Sequence, residues 1–184
     1  MKRGIALIFV LAFMASSCER THYKQEIVTI DSLQVRLDTV ALMFRRIDTA
    51  GISDLSQKFS ENLGFVQQAY IKKKDTIPKD VALLMSDYRT LKKPATGFYG
   101  NYQKAGEELK FSKRQLSDLK HDLQNNLLDS ILVQEMLQGE MKAVGSVENS
   151  VQDLKLSSEF TKAKRAKIEP RIDSLIQVLK KDES

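Results

Sequence analysis

The chain has 184 residues, 29% of them charged and 7% aromatic, with no tryptophan, eight glycines, three prolines and one cysteine. That composition speaks against a β-sandwich, excludes a disulfide-stapled domain and favours packed helices. The formal net charge of +5 falls to +3 once Lys2 and Arg3 are assigned to an export leader, which leaves no whole-protein argument for nucleic acid as a partner.

Residues 1–17 read as a cleaved signal peptide. Lys2 and Arg3 give a positive start, Ile5 to Met14 are apolar without interruption, and Ala15, Ser16 and Ser17 are small. At about 1.5 Å per residue such a run is too short to span a hydrocarbon core of about 30 Å. Small residues admit a peptidase between Ser17 and Cys18. Cys18 is the only cysteine. A plain secreted protein and an uncleaved amino-terminal anchor are the competing readings of the stretch.

The sequence Ala15-Ser16-Ser17-Cys18 resembles the lipid-attachment box of bacterial lipoproteins, with Ala15 where the family has a Leu-like residue. The resemblance implies cleavage after Ser17 and transfer of a diacylglyceryl group to Cys18. Acyl chains such as palmitate would then be the membrane anchor, and no thiol would remain. Glu19 stands where some inner-membrane lipoproteins carry Asp. The implied location is therefore the cell envelope, with the outer membrane favoured over the inner.

Residues 18–25 are polar and are expected to form a tether ahead of one domain over 26–184. Ile30, Leu33, Leu37, Val40, Phe44 and Ile47 are spaced 3, 4, 3, 4, 3, one stripe of a helix. The phase slips at Gly51, where a break is expected, with Asp54 and Gln57 as a cap pair restarting the helix. The stripe resumes as Ile52, Leu55, Phe59, Leu63, Val66 and Tyr70.

Lys72 to Pro78 reads as a turn, with Thr76 capping a helix that has Pro78 in its first turn. Val81, Leu84, Met85, Tyr88 and Leu91 carry that helix to Lys93, where Pro94 predicts a stop or sharp kink. Residues 95–106 hold Gly97, Gly100 and Gly106 and are the least regular stretch. Leu109, Leu116, Leu119 and Leu123 restore a strong helix. Asn125-Asn126 predicts a turn, with Asp129 or Ser130 capping the next helix. One unbroken helix with a stutter is the alternative. Leu137, Met141, Val144, Val147, Val151 and Leu154 mark the last helix. Pro170 interrupts it, and Ile168, Ile172, Leu175 and Leu179 extend its stripe as a kinked helix.

The expected fold is all-α: an elongated antiparallel bundle of about four long helices with coiled-coil-like packing, reversing near 74–78, 93–97 and 125–129. In architecture the mature part resembles small helical coiled-coil lipoproteins of bacterial envelopes. No spacing in the chain fixes an oligomeric state.

Chemistry is sparse. The chain lacks a Gly-rich phosphate loop, a zinc-binding His pair, a calcium loop and a nucleophile elbow, so no cofactor or metal is implied. Asp118, His121 and Asp122 share a helix face, as a solvated surface commonly does. Ser117 and Lys120 fit a Ser-x-x-Lys pattern that has no second lysine motif to complete it. Two features remain as candidate ligand contacts. Phe98, Tyr99 and Tyr102 lie among glycines, where they either pack a bend or stack on a sugar or partner. Lys162, Lys164, Arg165, Lys167 and Arg171 form the densest basic run, either a wet helix face or a surface for anionic lipid or polymer. The expected function is a non-enzymatic, membrane-anchored envelope lipoprotein with a structural or protein-interaction role and an envelope protein as partner. The alternative is a binder of an envelope polymer, sugar or anionic ligand through 97–102 or 162–171.

Overall fold

The structure, a computed structural model, describes residues 22–182. Among these residues there are five helices and no strand: α1 (Lys24–Arg45), α2 (Ala50–Lys72), α3 (Lys79–Arg89), α4 (Lys92–Gln124) and α5 (Ser130–Asp182). The fold is all-α, as the stripes predict. Four helices are long, and α3 is short at 11 residues.

The five helices make three rods. The spine is α5, whose 53 residues span about 80 Å at 1.5 Å per residue. Helices α1 and α2 lie along it head to tail and in its direction. Arg36 pairs with Glu148, Arg165 reaches Gly51, and Lys73 pairs with Asp182, so numbers rise together. Helices α3 and α4 return the other way: Asp31 pairs with Lys120 and Asp38 with Lys113. The result is an up-down-up bundle whose first two rods are each broken once. Most of these ion pairs are exposed, worth about 0–1 kcal/mol each, and mark register more than they add stability.

Two turns reverse the chain, and both close by one device. After α2, the Asp75 N–H donates to the Tyr70 carbonyl and the Lys74 N–H to Ile71. After α4, the Leu127 N–H donates to Asp122 and the Asn126 N–H to Leu123. Each is a Schellman closure with its pivot residue left-handed: Lys74 at φ 52° and Asn126 at φ 51°. Residues 125–129 therefore form a turn and not a continuous helix. Asp129 caps α5, its Oδ1 accepting the N–H groups of Ile131 and Leu132. Thr76 does not cap α3; Pro78 occupies the position just before that helix and makes no side-chain cap.

The expected reversal at 93–97 is absent. Helix α4 runs through Pro94 and the glycines beyond it. Pro94 is the third helical residue, where the missing N–H has no intrahelical acceptor to lose. The break falls earlier, at Thr90 and Leu91, whose N–H groups reach back three residues to Asp87 and Tyr88. The proline ring would crowd the carbonyl four residues back, that of Thr90, so the interruption sits there and bends the rod without reversing it. The break near Gly51 also shifts. It occupies 46–49, and Asp48, not Asp54, accepts the Gly51 N–H at 3.0 Å. A Cβ on Gly51 would lie 3.0 Å from Asp48 Oδ2, so glycine leaves room for that cap.

The core follows a heptad seam on α5. From Val133 to Leu179 its positions alternate steps of four and three, without a slip through Pro170. The expected seam residue Met141 is instead 48% exposed. Glu140 takes its place, because the repeat is kept by spacing and not by polarity. One apolar cluster runs from Tyr23 to Ile172, and a smaller one around Val66, Tyr70, Met85 and Leu179 closes the far end. Tyr23 is buried and donates its hydroxyl to the Leu128 carbonyl at 2.7 Å. The bundle thus starts at Tyr23, inside the stretch 18–25 expected to be a tether.

Candidate functional site

Ser17 and Cys18 lie outside the described residues. The other candidate residues fall on α4 and α5, where those rods pass the break at 46–49.

The aromatic segment is helix, not a bend. Phe98 is 2% exposed and faces the core. Tyr102 stacks on Phe44, ring centroids 4.2 Å apart and planes at 15°, and lies 6.1 Å from Phe98. Gly106 makes this possible: a Cβ there would meet Phe44 Cζ at 3.1 Å. Tyr99 is partly exposed, yet its hydroxyl donates to the Thr49 carbonyl at 2.7 Å. These three rings join α4 to α1 and to the break. On their other side an open groove of about 500 Å³ runs between α4 and α5, lined by Gly97, Asn101, Ser150 and Asp153 among others.

The basic run separates once it is wound into a helix. Lys162 and Lys167 are exposed, and Lys162 is 3.9 Å from Asp48. Lys164 lies over the exposed Phe160 ring at 5.6 Å. Arg171 is exposed. Arg165 turns inward, with its side chain 18% accessible. Its guanidinium donates to Glu169 at 2.6 and 2.9 Å, to the Gly51 carbonyl at 2.6 Å, and to Asp54. The hydrogen bonds to Glu169 lead in raising the Arg165 pKa above its ordinary value. The hydrogen bond from Arg165 leads in lowering the Asp54 carboxyl.

Together these residues form a polar level in the bundle. Ser158, Thr161 and Arg165 are consecutive seam positions of α5, and all three are polar. The reason is the break beside them. Ser158 donates to the Asp48 carbonyl at 3.4 Å, Tyr99 to that of Thr49, and Arg165 to that of Gly51. Side chains from both other rods thus converge on carbonyls of one interruption and of the first turn of α2 that follows it. Small cavities of about 260 and 330 Å³ flank it, both reaching Asp48, Ser158 and Lys162. Thr161 Oγ1 is buried without a partner and lines the first. Chemically, the arrangement binds backbone and fixes the relative heights of the rods. It sets no nucleophile against a base.

Among the described residues no group of three or more His, Cys, Asp or Glu stands ready to hold a metal ion. Asp118 and His121 are exposed, and Asp118 pairs with Arg114. Ser117 is exposed, and Lys120 is engaged with Asp31. Glu140, which the apolar stripe skipped, has a buried Oε2 without a partner, and burial raises its pKa. Its only sequence signal is its place in the four-three rhythm between Leu137 and Val144. Among the described helices none is long and apolar enough to cross a membrane. Compared with known proteins, the chain matches no family model, no curated protein and no solved structure.

Proposed function

We propose that this chain is a lipid-anchored lipoprotein of the bacterial envelope, cleaved after Ser17 and held in the membrane by acyl chains on Cys18. Its helical rod serves a structural or protein-interaction role and not a catalytic one, with an envelope protein as partner and the outer membrane as the favoured location. The observation that carries this reading is the position of the only cysteine, at the end of a charged, apolar and then small-residue leader.

The fold is in keeping with it. The bundle begins at Tyr23, at one end of a rod about 80 Å long, so an anchor at Cys18 holds the rod by its end. An anchor at that point leaves the length of the rod available to partners. Val28, Val35 and Leu42 stay exposed on α1 at seven-residue spacing, which supports an interaction role. The residues nominated for ligand contact are mostly committed elsewhere: Phe98 and Tyr102 to packing, the Tyr99 hydroxyl and Arg165 to the break.

The test is Cys18→Ala expressed with labelled palmitate. Wild type should take up label and run as the processed chain. The variant should take up none and accumulate as precursor. Normal processing and labelling of the variant would overturn the reading.

A further inference from the structure

The turn between α4 and α5 is poor in charge and rich in exposed apolar side chains. Over Gln124 to Leu132 there is one charged residue, Asp129, and its carboxylate accepts two backbone N–H groups of α5. Around it three large apolar side chains stand in solvent: Leu127 at 63% exposure, Ile131 at 81% and Leu132 at 40%. Ile131 is the most exposed large hydrophobic among the described residues. The turn at the opposite end differs. Over Ile71 to Asp80 six of ten residues are charged, four of them lysines, around the exposed Ile71 and Ile77.

The apolar turn also lies at the amino-terminal end of the bundle. The His22 N–H faces Asn126 Oδ1 at 3.5 Å, and Tyr23 is bonded to Leu128. Only Glu19, Arg20 and Thr21 separate Cys18 from His22. Four residue steps, even fully extended, reach about 14 Å. A lipid-bearing Cys18 is therefore held within about 14 Å of a residue that touches this turn. The chain is too short to carry the turn far from the headgroups.

We propose that the α4–α5 turn is the membrane-contacting tip of the rod, with Leu127, Ile131 and Leu132 seated in the interface of the leaflet that receives the Cys18 acyl chains. This rests on the lipoprotein reading above. The tip gives the anchored rod a second point of contact, so that the bundle is seated on the bilayer by its end. Lys24, exposed at the same end, suits anionic headgroups. The apolar side chains of the turn take up the boundary region that such residues favour over water.

The test uses the acylated chain purified from membranes. Acylation leaves it without a thiol, so Ile131→Cys, Leu127→Cys and Ile71→Cys each give one labelling site for an environment-sensitive fluorophore. Each variant is placed in phosphatidylethanolamine–phosphatidylglycerol vesicles with and without brominated lipid. Labels at 131 and 127 should shift to shorter wavelength and be quenched several-fold more than the label at 71. Water-exposed labels at both 131 and 127 would overturn the proposal, whatever the state of Cys18. Emission that is already shifted without vesicles and grows with protein concentration would mean that a second copy covers the tip, and would overturn it equally. The mass of the amino-terminal peptide from the same sample reports acylation separately, so failure of the anchor is distinguished from failure of the tip. Circular dichroism of each variant verifies that the bundle is intact.

Discussion

At residues 46–49 the first rod stops and restarts: the Arg46 and Ile47 N–H groups reach back to Met43 and Phe44, and the other two rods add Ser158 on the Asp48 carbonyl, Tyr99 on that of Thr49 and Arg165 on that of Gly51 in the first turn of α2. At Thr90 and Leu91 the second rod does the same and closes on itself, through local backbone bonds, the Thr90 hydroxyl on the Asp87 carbonyl, and a fully buried Leu91. The difference separates two ways of tolerating a helix break. Both breaks close locally around a buried apolar residue, Ile47 in one and Leu91 in the other. Only the break at 46–49 also receives side chains from both other rods, which ties all three at one height. Two polar seam positions, Ser158 and Arg165, provide that cross-tie together with Tyr99.

The largest expected effects set the two breaks side by side. Leu91→Ala removes a fully buried side chain and should cost about 3 kcal/mol, equally at every pH. Arg165→Ala leaves the partly buried Glu169 carboxylate without its donor and should also cost about 3 kcal/mol at neutral pH. Its cost should depend on acid, however. The folded pKa of Asp54 is lowered, so its contribution is present above the ordinary carboxylate range and is lost as pH falls through the folded value. Urea unfolding of both variants at pH 7 and pH 3 checks this. A gap from wild type that stays constant for Arg165→Ala would erase the contrast.

A middle-sized effect sharpens it. Tyr99→Phe keeps the ring and removes only the hydroxyl that reaches Thr49, and should cost about 0.5–1 kcal/mol. No change would mean that the Thr49 carbonyl is not held by that bond. The smallest effect lies at the far turn. Lys74 is left-handed without being glycine, so Lys74→Gly should relieve about 1 kcal/mol of strain, less the entropy glycine loses on folding. A net gain of about 0.5 kcal/mol in thermal unfolding is expected, and less for Asn126→Gly, since asparagine accepts that conformation more readily.

Much of the fold is legible in the stripes. Spacing of three and four places α1, α2, α4 and α5, and the Asn125-Asn126 pair marks a true turn. The missing part is long-range. Whether a break reverses a chain depends on which rod lies beside it, so Pro94 reads as a corner when its ring only shifts the interruption back to Thr90. An apolar search chooses Met141 over Glu140 because it asks for polarity before phase. Arg165 looks like one of five wet cations. Its carbonyl partner is more than a hundred residues away, and no local pattern announces it. The exposed Leu127 and Ile131 are equally silent, because a turn rich in leucine and isoleucine reads like the ends of two stripes.

The proposed anchoring of the rod depends on Cys18. Its most direct test is the mass of the amino-terminal peptide of protein isolated from the membrane fraction. The expected result is a chain that begins at Cys18 with a diacylglyceryl group on Sγ. A chain that begins at Met1, or one that carries a free thiol at Cys18, would contradict it.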